Sequence, residues 1–338
     1  MKQGRASLLI VTTGCPSGIG PEVCLRAVVE GFEGNVVLVG DGGALRAAAR
    51  TIGVAETRLL KVDGPNAVRR VSARSIRYIE PTAPLVARDR RPGKPTNASG
   101  EAQLRWIDYA FDAVMNGHAS AMVTGPVSKE VIAKSGSKRA KTFFGHTEYL
   151  QQRANASEVT MAFACPQFTT ALVSTHLPLK KVPLFVTKER VVRAITHLVN
   201  YLRPLGRARV CVAALNPHAG ERGLLGTEER DVIAPAVEIA RRSLSHRGSV
   251  TIEGPTGAES AFRRAANGDF DGVVAMYHDQ ATIPTKLLAF GDAVNVTLGL
   301  PFVRTSVDHG TGYDRAGKGT ADARGMIAAL ELAARLSG

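Results

Sequence analysis

Short apolar, strand-like runs alternate with segments of helical periodicity along most of this chain. The first runs span residues 8–13, 35–40 and 119–124, and the periodic segments after them span 21–30, 43–51 and 128–134. The alternation resumes with strand candidates at 159–165, 170–175, 209–215 and 272–276, and with helix candidates at 188–202, 228–243 and 321–336. Two parallel strands need a long crossover connection, which is usually a helix. The pattern therefore predicts an α/β fold with a mostly parallel sheet.

The length of the chain predicts more than one domain. Its 338 residues exceed the roughly 150 residues of a typical domain, and neither an internal repeat nor a Gly/Ser linker separates its halves. We expect two α/β domains: residues 1–140 together with 312–338, and residues 141–311, which hold most of the candidate site residues. The final helix would return to the first domain and leave a cleft between the domains, where ligands commonly bind.

The charge of the chain restricts its partners. The formal net charge is +13, with 44% apolar and 5% aromatic residues. Such a surplus suits nucleic acid, an anionic membrane or a small anion, but the few aromatic residues and the lack of a binding motif argue against nucleic acid. The early apolar run is too short for an export signal, and the four cysteines form no Cys-x-x-Cys pair. Composition alone does not choose the partner, and a solvated basic face is the interpretation that we prefer for the surplus. We expect a cytoplasmic protein that binds neither membrane nor nucleic acid.

A glycine-rich segment follows the first strand candidate. Residues 14–22 read GCPSGIGPE and lie where a Rossmann dinucleotide loop would be. The third position of that fingerprint is Val23 rather than glycine, and no Gly-Lys-Ser/Thr follows to form a phosphate loop. The other interpretation is a tight turn that leads into a helix with Pro21 at its start.

Four histidines stand in turn-rich stretches directly after apolar runs: His146, His176, His218 and His278. In an open α/β sheet such strand ends face the ligand crevice, and three histidines can hold a catalytic metal ion with positions left for substrate. No His-x-x-x-His pair occurs, so spacing alone leaves open that these residues only form hydrogen bonds. Three other histidines lie in or beside helical segments and are expected to be structural or solvated: His118, His197 and His246.

Six motifs connect these residues to a known family. They read GIGPE at 18–22, GHTE at 145–148, STHLPL at 174–179, NPHAGE at 216–221, YHDQ at 277–280 and VNVTLGLPFVRTSVDHG at 294–310. In this order the chain resembles the 4-hydroxythreonine-4-phosphate dehydrogenases of vitamin B6 synthesis over nearly its whole length. The resemblance implies the fold of isocitrate and isopropylmalate dehydrogenases, which bind NAD or NADP without a Rossmann fingerprint. It also implies a homodimer whose active site is shared across the interface.

The resemblance implies roles for individual residues as well. His176, His218 and His278 match the ligands of a divalent metal ion, which we expect to be Zn, Mg or Co. The residues that match substrate-binding positions are His146, Thr147, Lys286, Asn295 and Arg304. Their lysine and arginine can neutralise the phosphate or carboxylate of a small substrate. The residues that bind NAD or NADP stay unassigned.

The implied reaction is a metal-assisted oxidation followed by decarboxylation. The metal polarises the C3 hydroxyl of 4-phosphohydroxy-L-threonine, hydride passes to the nicotinamide, and the resulting 3-oxo acid loses carbon dioxide to give 3-amino-2-oxopropyl phosphate. Asp279 and Asp308 are the candidate proton acceptors. The alternative, which we favour, is that each aspartate orients a histidine.

Three positions differ from the pattern of the vitamin B6 enzymes. Cys15 replaces an aspartate, Gly125 begins GPVSK in place of APINK, and Glu259 lies in GAES in place of PADT. These differences keep open a related enzyme that oxidises and decarboxylates phosphorylated threonate or a cis-dihydrodiol dicarboxylate. A hypothesis of another class is a non-catalytic basic protein that binds a polyanion, with affinity that falls steeply with salt. A zinc hydrolase is disfavoured, because no His-Glu-x-x-His element occurs.

Overall fold

The computed structural model describes residues 7–70, 75–245 and 249–338. The chain divides into two compact units, of which the first comprises Met1–Ser157 and Leu300–Gly338 and the second comprises Glu158–Gly299. Both units contain strands and helices, so the predicted α/β class is confirmed. No helix among the described residues is both long enough and apolar enough to cross a membrane.

The first unit is built on a parallel sheet. Its described strands are β1 (Leu8–Thr12), β2 (Asn35–Val39), β3 (Leu59–Lys61), β4 (Ile76–Ile79), β5 (Ala121–Thr124) and β12 (Val303–Val307). They lie in the order β3-β4-β2-β1-β5-β12, and each neighbouring pair is parallel. The helices are α1 (Gly20–Arg26), α2 (Gly42–Thr51), α3 (Asn97–Met115), α4 (Lys129–Ala133), α5 (His146–Arg153) and α11 (Arg324–Ser337). The carboxyl ends of the strands therefore meet at one edge of this sheet.

Strand β1 lies inside this sheet, between β2 and β5. Its sequence LLIVT is buried throughout, which is why it reads as a continuous apolar run rather than an alternating one. Helix α3 packs on β1, and Ile10 of the strand and Trp106 of the helix are fully buried in one core. A capping box starts α3: Thr96 Oγ1 accepts from Ser99 N, and Ser99 Oγ accepts from Thr96 N.

The second unit has a mixed sheet. Its described strands are β6 (Thr160–Ala164), β7 (Thr169–Leu172), β8 (Arg209–Ala213), β9 (Thr251–Thr256), β10 (Gly272–Ala275) and β11 (Val294–Leu298). In the order β11-β6-β7-β10-β8-β9, the two pairs of β6 are antiparallel and the other pairs are parallel. The helices are α6 (Val182–Phe185), α7 (Lys188–Leu202), α8 (Ala234–Leu244), α9 (Ala258–Ala266) and α10 (His278–Leu288). The prediction of a mostly parallel arrangement is thus confirmed for the described strands.

Two helices of the second unit show how local sequence sets a helix start. Thr187 caps α7 by accepting from Arg190 N at 3.4 Å, as its position before the periodic segment predicts. The helix predicted at 228–243 begins instead with a π-helical turn, Glu229–Ile233, and is α-helical over α8. The side chain of Glu229 is buried, although a helix start is usually a solvated place for a carboxylate.

The boundaries of the units differ from those expected from the sequence. The chain stays with the first unit up to residue 157, because Tyr149 and Leu150 of α5 are buried in its core. At the other end, β12 pairs with β5, so the first unit resumes at residue 300. Three of the predicted substrate residues therefore belong to the first unit: His146, Thr147 and Arg304.

Candidate functional site

A buried arginine lies on strand β12 of the first unit. Arg304 of β12 is only 3% exposed. Because β12 pairs in register with β5, Arg304 Nη2 reaches Thr124 Oγ1 and donates to it at 2.7 Å. Burial lowers the pKa of Arg304 to about 10, against the opposite effect of the Glu148 carboxylate, so the guanidinium keeps its charge at neutral pH. A buried guanidinium suits a bound phosphate or carboxylate, which can accept two parallel hydrogen bonds from it.

His146 begins α5 within electrostatic reach of this guanidinium. Its ring lies edge-on to Phe143, with centroids 5.8 Å apart. Burial, and then the charges of Arg304 and Lys129, lower the pKa of His146 well below 6.5. The Nε2 atom is buried and has no hydrogen-bond partner in the described part of the chain. The imidazole is therefore neutral at physiological pH and presents a nitrogen that a ligand could satisfy; Thr147, the next residue, is also buried.

Lys129 is a third basic residue whose charge acts on His146, and it was not among the predicted site residues. It opens α4, whose start is capped by Ser128 Oγ accepting from Val131 N at 3.3 Å. A Cβ at Gly145 would lie 3.4 Å from Lys129 Nζ, so the ammonium group lies close to the residue that precedes His146. Its position could have indicated a site residue, because Lys129 ends the sequence GPVSK that directly follows β5. We call Arg304, His146 and Lys129 the basic cluster.

The loop after β1 is packed tightly onto its own unit. A Cβ at Gly14, whose φ is +73°, would collide with Pro126 O, and a Cβ at Gly20 would collide with Thr13 O. These glycines are required by close approaches of backbone to backbone rather than by a bound pyrophosphate. Pro21 lies in the first turn of α1. The structure thus supports the interpretation of residues 14–22 as a tight turn into a helix.

Two of the three unusual positions lie together in the first unit. Cys15 is fully buried, and its Sγ lies 3.5 Å from Tyr313 Oη. Burial raises the pKa of the Cys15 thiol and raises that of Tyr313 to about 12, so both groups are uncharged. A Cβ at Gly125 would lie 2.8 Å from Thr12 O. The loops after β1 and β5 therefore approach each other more closely than an alanine at position 125 would allow.

Two of the predicted metal ligands are neighbours in the second unit. The rings of His176 and His278 lie 5.4 Å apart between centroids. His278 Nδ1 is 2.7 Å from Asp279 Oδ1, and the ring packs edge-on to Phe163 at 6.5 Å. A carboxylate on Nδ1 leaves Nε2 as the nitrogen for a metal ion or substrate. This geometry supports Asp279 as the group that orients His278.

Polar side chains, buried Ser174 and half-buried Gln280, hold the loops that carry these two histidines. Ser174 Oγ donates to Met276 O at 2.7 Å, which joins the chain after β7 to the chain after β10. Gln280 Oε1 accepts from Met276 N at 2.7 Å, and Gln280 Nε2 donates to Ala214 O at 2.8 Å. These bonds connect the chain after three neighbouring strands, β7, β10 and β8, and two of the connected residues, Ser174 and Met276, lie two positions before His176 and His278.

His218 lies on a turn with an unusual backbone. The five residues from His218 to Arg222 all have positive φ, between 42° and 75°. The left-handed helical region costs about 1–2 kcal/mol for each residue other than glycine, and of these five only Gly220 is a glycine. Such strain persists where surrounding contacts over-determine it, most often at functional sites. We call residues 218–222 the left-handed turn.

The donor chemistry of the three histidines suits a metal ion, but this structure gathers only part of the set. Imidazole nitrogen is a good ligand for Zn, Co, Ni or Fe, and the Asp279 carboxylate contacts one member of the His176–His278 pair, as a carboxylate behind a metal-binding histidine commonly does. Among the described residues, no three His, Cys, Asp or Glu side chains meet in a geometry suited to a metal ion. His218 is therefore not joined to the other two histidines here.

The remaining predicted site residues are spread over both units. Lys286 lies on α10, the helix that His278 begins, and Asn295 lies on β11 opposite Phe163 of β6. Asp308 directly follows β12 in the first unit. The second unit thus holds the three candidate ligands together with Lys286 and Asn295.

Two of the three histidines expected to be structural or solvated lie in the described part of the chain. His118 is exposed at the end of α3. His197 Nδ1 is 2.9 Å from Thr160 Oγ1, and its ring packs under Gly299. His246 lies outside the described residues.

The chain matches known proteins over nearly its whole length. A family model described as pyridoxal phosphate biosynthetic protein PdxA matches residues 33–333. A 4-hydroxythreonine-4-phosphate dehydrogenase of Desulfosudis oleivorans is 41% identical over 335 residues, which cover 96% of this chain and 95% of the relative. The crystal structure of a 4-hydroxythreonine-4-phosphate dehydrogenase from Klebsiella pneumoniae is 33% identical, has a TM-score of 0.83, and covers 98% of this chain and 100% of its own. A terephthalate 1,2-cis-dihydrodiol dehydrogenase structure from Burkholderia xenovorans is 28% identical, with a TM-score of 0.67 and 98% of both chains covered.

The environment of His146 predicts how it titrates. Because burial disfavours the charged imidazole, the folded ring should stay neutral as the pH falls through 6.5. The unfolded chain takes up this proton near the ordinary pKa of about 6.5, so the stability contributed by the neutral ring is complete above that pH and is lost as the pH falls below it. An NMR titration of histidine ring signals, with His146 assigned by His146→Gln, checks this. A His146 signal that titrates at or above pH 6.5 contradicts it.

Proposed function

The chain belongs to the PdxA family of pyridoxal phosphate biosynthetic proteins, and we propose that it is a 4-hydroxythreonine-4-phosphate dehydrogenase of vitamin B6 synthesis. The observation that carries this proposal is the similarity to dehydrogenases of that name along nearly the whole chain. The same similarity favours an enzyme over a non-catalytic basic protein that binds a polyanion. The buried charge of Arg304 adds a place for the anionic end of the substrate.

The basic cluster supplies the contacts that a phosphorylated hydroxyamino acid needs. The Arg304 guanidinium can donate two parallel hydrogen bonds to phosphate or carboxylate, and Lys129 adds a second positive charge. His146, kept neutral by its surroundings, offers its Nε2 atom without adding a charge. Thr147 adds a hydroxyl at the start of α5. Lys286 and Asn295 of the second unit are the further substrate residues that we propose.

The proposed reaction has two balanced steps. In the first, the substrate loses a hydride from C3, for which a bound nicotinamide would be the acceptor, and the proton of its C3 hydroxyl, for which Asp308 is the candidate acceptor; the product is a 3-oxo acid. In the second, the bond between C2 and the carboxylate breaks, carbon dioxide leaves, and the electron pair that remains on C2 is protonated. The product is 3-amino-2-oxopropyl phosphate. The cationic groups of the basic cluster hold the anionic end in place during both steps.

We propose His176, His218 and His278 as the ligands of a divalent ion, and their nitrogen donors favour Zn or Co over Mg. When bound, such an ion supplies Lewis-acid catalysis, lowering the pKa of a coordinated hydroxyl and stabilising negative charge on oxygen. Asp279 supports this proposal by its contact with His278 Nδ1. Asp308 remains the candidate proton acceptor in the first unit.

The nicotinamide cofactor is proposed on the relatives' names as dehydrogenases. The loop at residues 14–22 does not fit a Rossmann pyrophosphate site, because the chain's own backbone occupies the space beside its glycines. We therefore propose NAD or NADP as hydride acceptor without assigning that loop to its phosphates.

Two observations support a second candidate substrate. The cis-dihydrodiol dehydrogenase structure covers 98% of the chain, as the Klebsiella pneumoniae structure does, and Cys15 and Gly125 lie in the loops after β1 and β5. Glu259 is a surface residue: its side chain is 77% exposed and accepts from Arg263 Nε at 2.9 Å on α9. A cis-dihydrodiol dicarboxylate, or phosphorylated threonate, would place an anion at the same basic cluster.

We also propose a cytoplasmic location, supported by the cysteines. Cys15, Cys24, Cys165 and Cys211 are all buried and none forms a disulfide. Burial raises the pKa of each of these thiols, which keeps them in the unreactive protonated form. Such thiols are typical of proteins in a reducing compartment.

The first test is turnover by the purified protein. With Zn²⁺ or Co²⁺ and NAD⁺ or NADP⁺, we expect 4-phosphohydroxy-L-threonine to be oxidised and to release carbon dioxide. Reduction of the cofactor is measured by its absorbance at 340 nm. Arg304→Lys should lower kcat/KM by about 10- to 100-fold, because a bidentate charge-assisted contact is lost. Turnover with a cis-dihydrodiol dicarboxylate but none with the phosphorylated amino acid would instead select the second substrate.

The second test concerns the metal. Treatment with a chelator should abolish oxidation, and added Zn²⁺ should restore it. His218→Ala should release bound zinc, as measured by metal analysis after dialysis, because the site loses one nitrogen donor. His118→Ala, at an exposed position of the first unit, is the matched control and should keep its zinc. Wild-type zinc content and activity in His218→Ala would refute the ligand role.

The third test concerns the homodimer, for which an exposed apolar face of the second unit is the structural support. On and just after α10, Ile283 is 58% exposed, and Leu287 and Phe290 are each 80% exposed. Such a patch marks an interaction site more often than bare surface. In sedimentation equilibrium the wild type should be dimeric and Leu287→Glu should dissociate; the control Val86→Glu, also at an exposed apolar residue, should stay dimeric. A monomeric wild type would contradict the proposal.

A further inference from the structure

A buried carboxylate from the π-helical turn holds the chain just before His218. Glu229 is only 5% exposed. Its Oε1 accepts hydrogen bonds from the backbone N–H groups of Leu215 at 2.8 Å and Asn216 at 2.7 Å. Its Oε2 accepts from Asn216 Nδ2 at 3.0 Å. One carboxylate thus binds three donors at the point where the chain leaves β8 for the left-handed turn.

The same carboxylate packs against the middle of the left-handed turn. A Cβ at Gly220 would lie 2.6 Å from Glu229 Oε2, so glycine at this position allows the turn to approach the carboxylate. Leu225 N then donates to Gly220 O at 3.1 Å and closes the turn. Glu229 therefore contacts both the chain just before the turn and the middle of the turn, and His218 lies between these two places.

We propose that Glu229 is a positioning residue: it holds the left-handed turn so that the His218 imidazole is presented in one place to a metal ion. The ligand role of His218 rests on the function proposed above, whereas the contacts of Glu229 with the turn do not. Left-handed residues other than glycine need surrounding contacts to keep them there. Without Glu229, a metal ion would have to order the turn as it binds. Its apparent affinity would then equal the intrinsic affinity multiplied by the fraction of molecules in which the turn is already formed.

Two other carboxylates of the second unit separate this role from general stabilisation. Asp271 also accepts from two consecutive backbone N–H groups, those of Ala208 at 3.1 Å and Arg209 at 2.9 Å, but it acts at the start of β8 rather than at its end. Glu228 is adjacent in sequence, and its Oε2 accepts from Asn216 Nδ2 at 2.7 Å rather than from the backbone. Asp271→Asn and Glu228→Gln are therefore matched controls.

The experiment compares zinc affinity and amide exchange in the full-length protein. Zinc dissociation constants are measured on the metal-free protein by competition with a chromophoric chelator, and hydrogen exchange of the 215–226 segment is followed by mass spectrometry. We expect Glu229→Ala and Glu229→Gln to weaken zinc binding by about 10- to 100-fold, as loss of a supporting contact usually does. The Leu215 and Asn216 amides should exchange roughly tenfold faster, since each loses a hydrogen bond to a charged acceptor. In both Glu229 variants the absorption spectrum of the Co²⁺-loaded protein should also differ from that of the wild type.

The controls and the ligand variant make the result decisive. Asp271→Asn should lower thermal stability while its zinc affinity stays within about twofold of wild type, as expected away from the site; Glu228→Gln should behave likewise. Glu229→Gln keeps the side-chain volume, so a folding failure of Glu229→Ala leaves the test intact. Excess zinc should restore activity to Glu229→Gln but not to His218→Ala.

Three outcomes would overturn the inference, and they differ from one another. If the Glu229 variants keep wild-type zinc affinity while His218→Ala loses zinc, the positioning role is wrong and the ligand role stands. If His218→Ala keeps wild-type affinity, the proposed ligand role is wrong and the inference falls with it. If Asp271→Asn weakens zinc binding as much as Glu229→Gln, the effect is general destabilisation.

Discussion

The pairing of β12 with β5 is the interaction on which the first unit depends. It brings residues more than 170 positions apart into register, so that Arg304 Nη2 reaches Thr124 Oγ1 at 2.7 Å. Because all neighbouring strands of this sheet are parallel, the loops after β1 and β5 reach the same edge. The pairing also draws the chain from residue 300 onwards into the first unit. Burial, and then the charges of the Arg304 guanidinium and of Lys129, lower the pKa of His146.

The second unit uses buried hydrogen bonds for a similar purpose. Ser174, Gln280 and Glu229 each tie the chain after one strand to a neighbouring segment, and each tie lies close to a histidine. Unsatisfied buried donors are costly, so these contacts restrict the loops more strongly than apolar packing alone would. The histidine loops are therefore held by polar side chains that do not themselves have to touch a ligand. The strained backbone of the left-handed turn is the place where such support matters most.

Much of the fold could be predicted because it depends on local patterns. The run at 8–13 became β1, and the periodic segment at 188–202 became α7 with Thr187 as its cap. Strand β9 was not expected, since its sequence TIEGPT contains Gly and Pro, which suit an edge strand better than a central one. The unit boundary could not be predicted from pattern, because it depends on which core Tyr149 and Leu150 join. Lys129 and Glu229 were missed because their roles depend on which groups lie beside them in the fold; the position of Lys129 shortly after β5 was the indication that the sequence offered.

The sequence by itself determined the α/β class, the family and the types of residue available for chemistry, because these follow from periodicity and from motifs that are contiguous in the chain. Only the tertiary structure decided which of those residues meet. It placed His176 beside His278, gave Asp279 to His278 Nδ1, and left His218 on a strained turn anchored by Glu229. It also made His146 neutral through burial and the neighbouring charges of Arg304 and Lys129. Distances, solvent exclusion and electrostatic neighbours arise from segments far apart in the chain, and no local pattern records them.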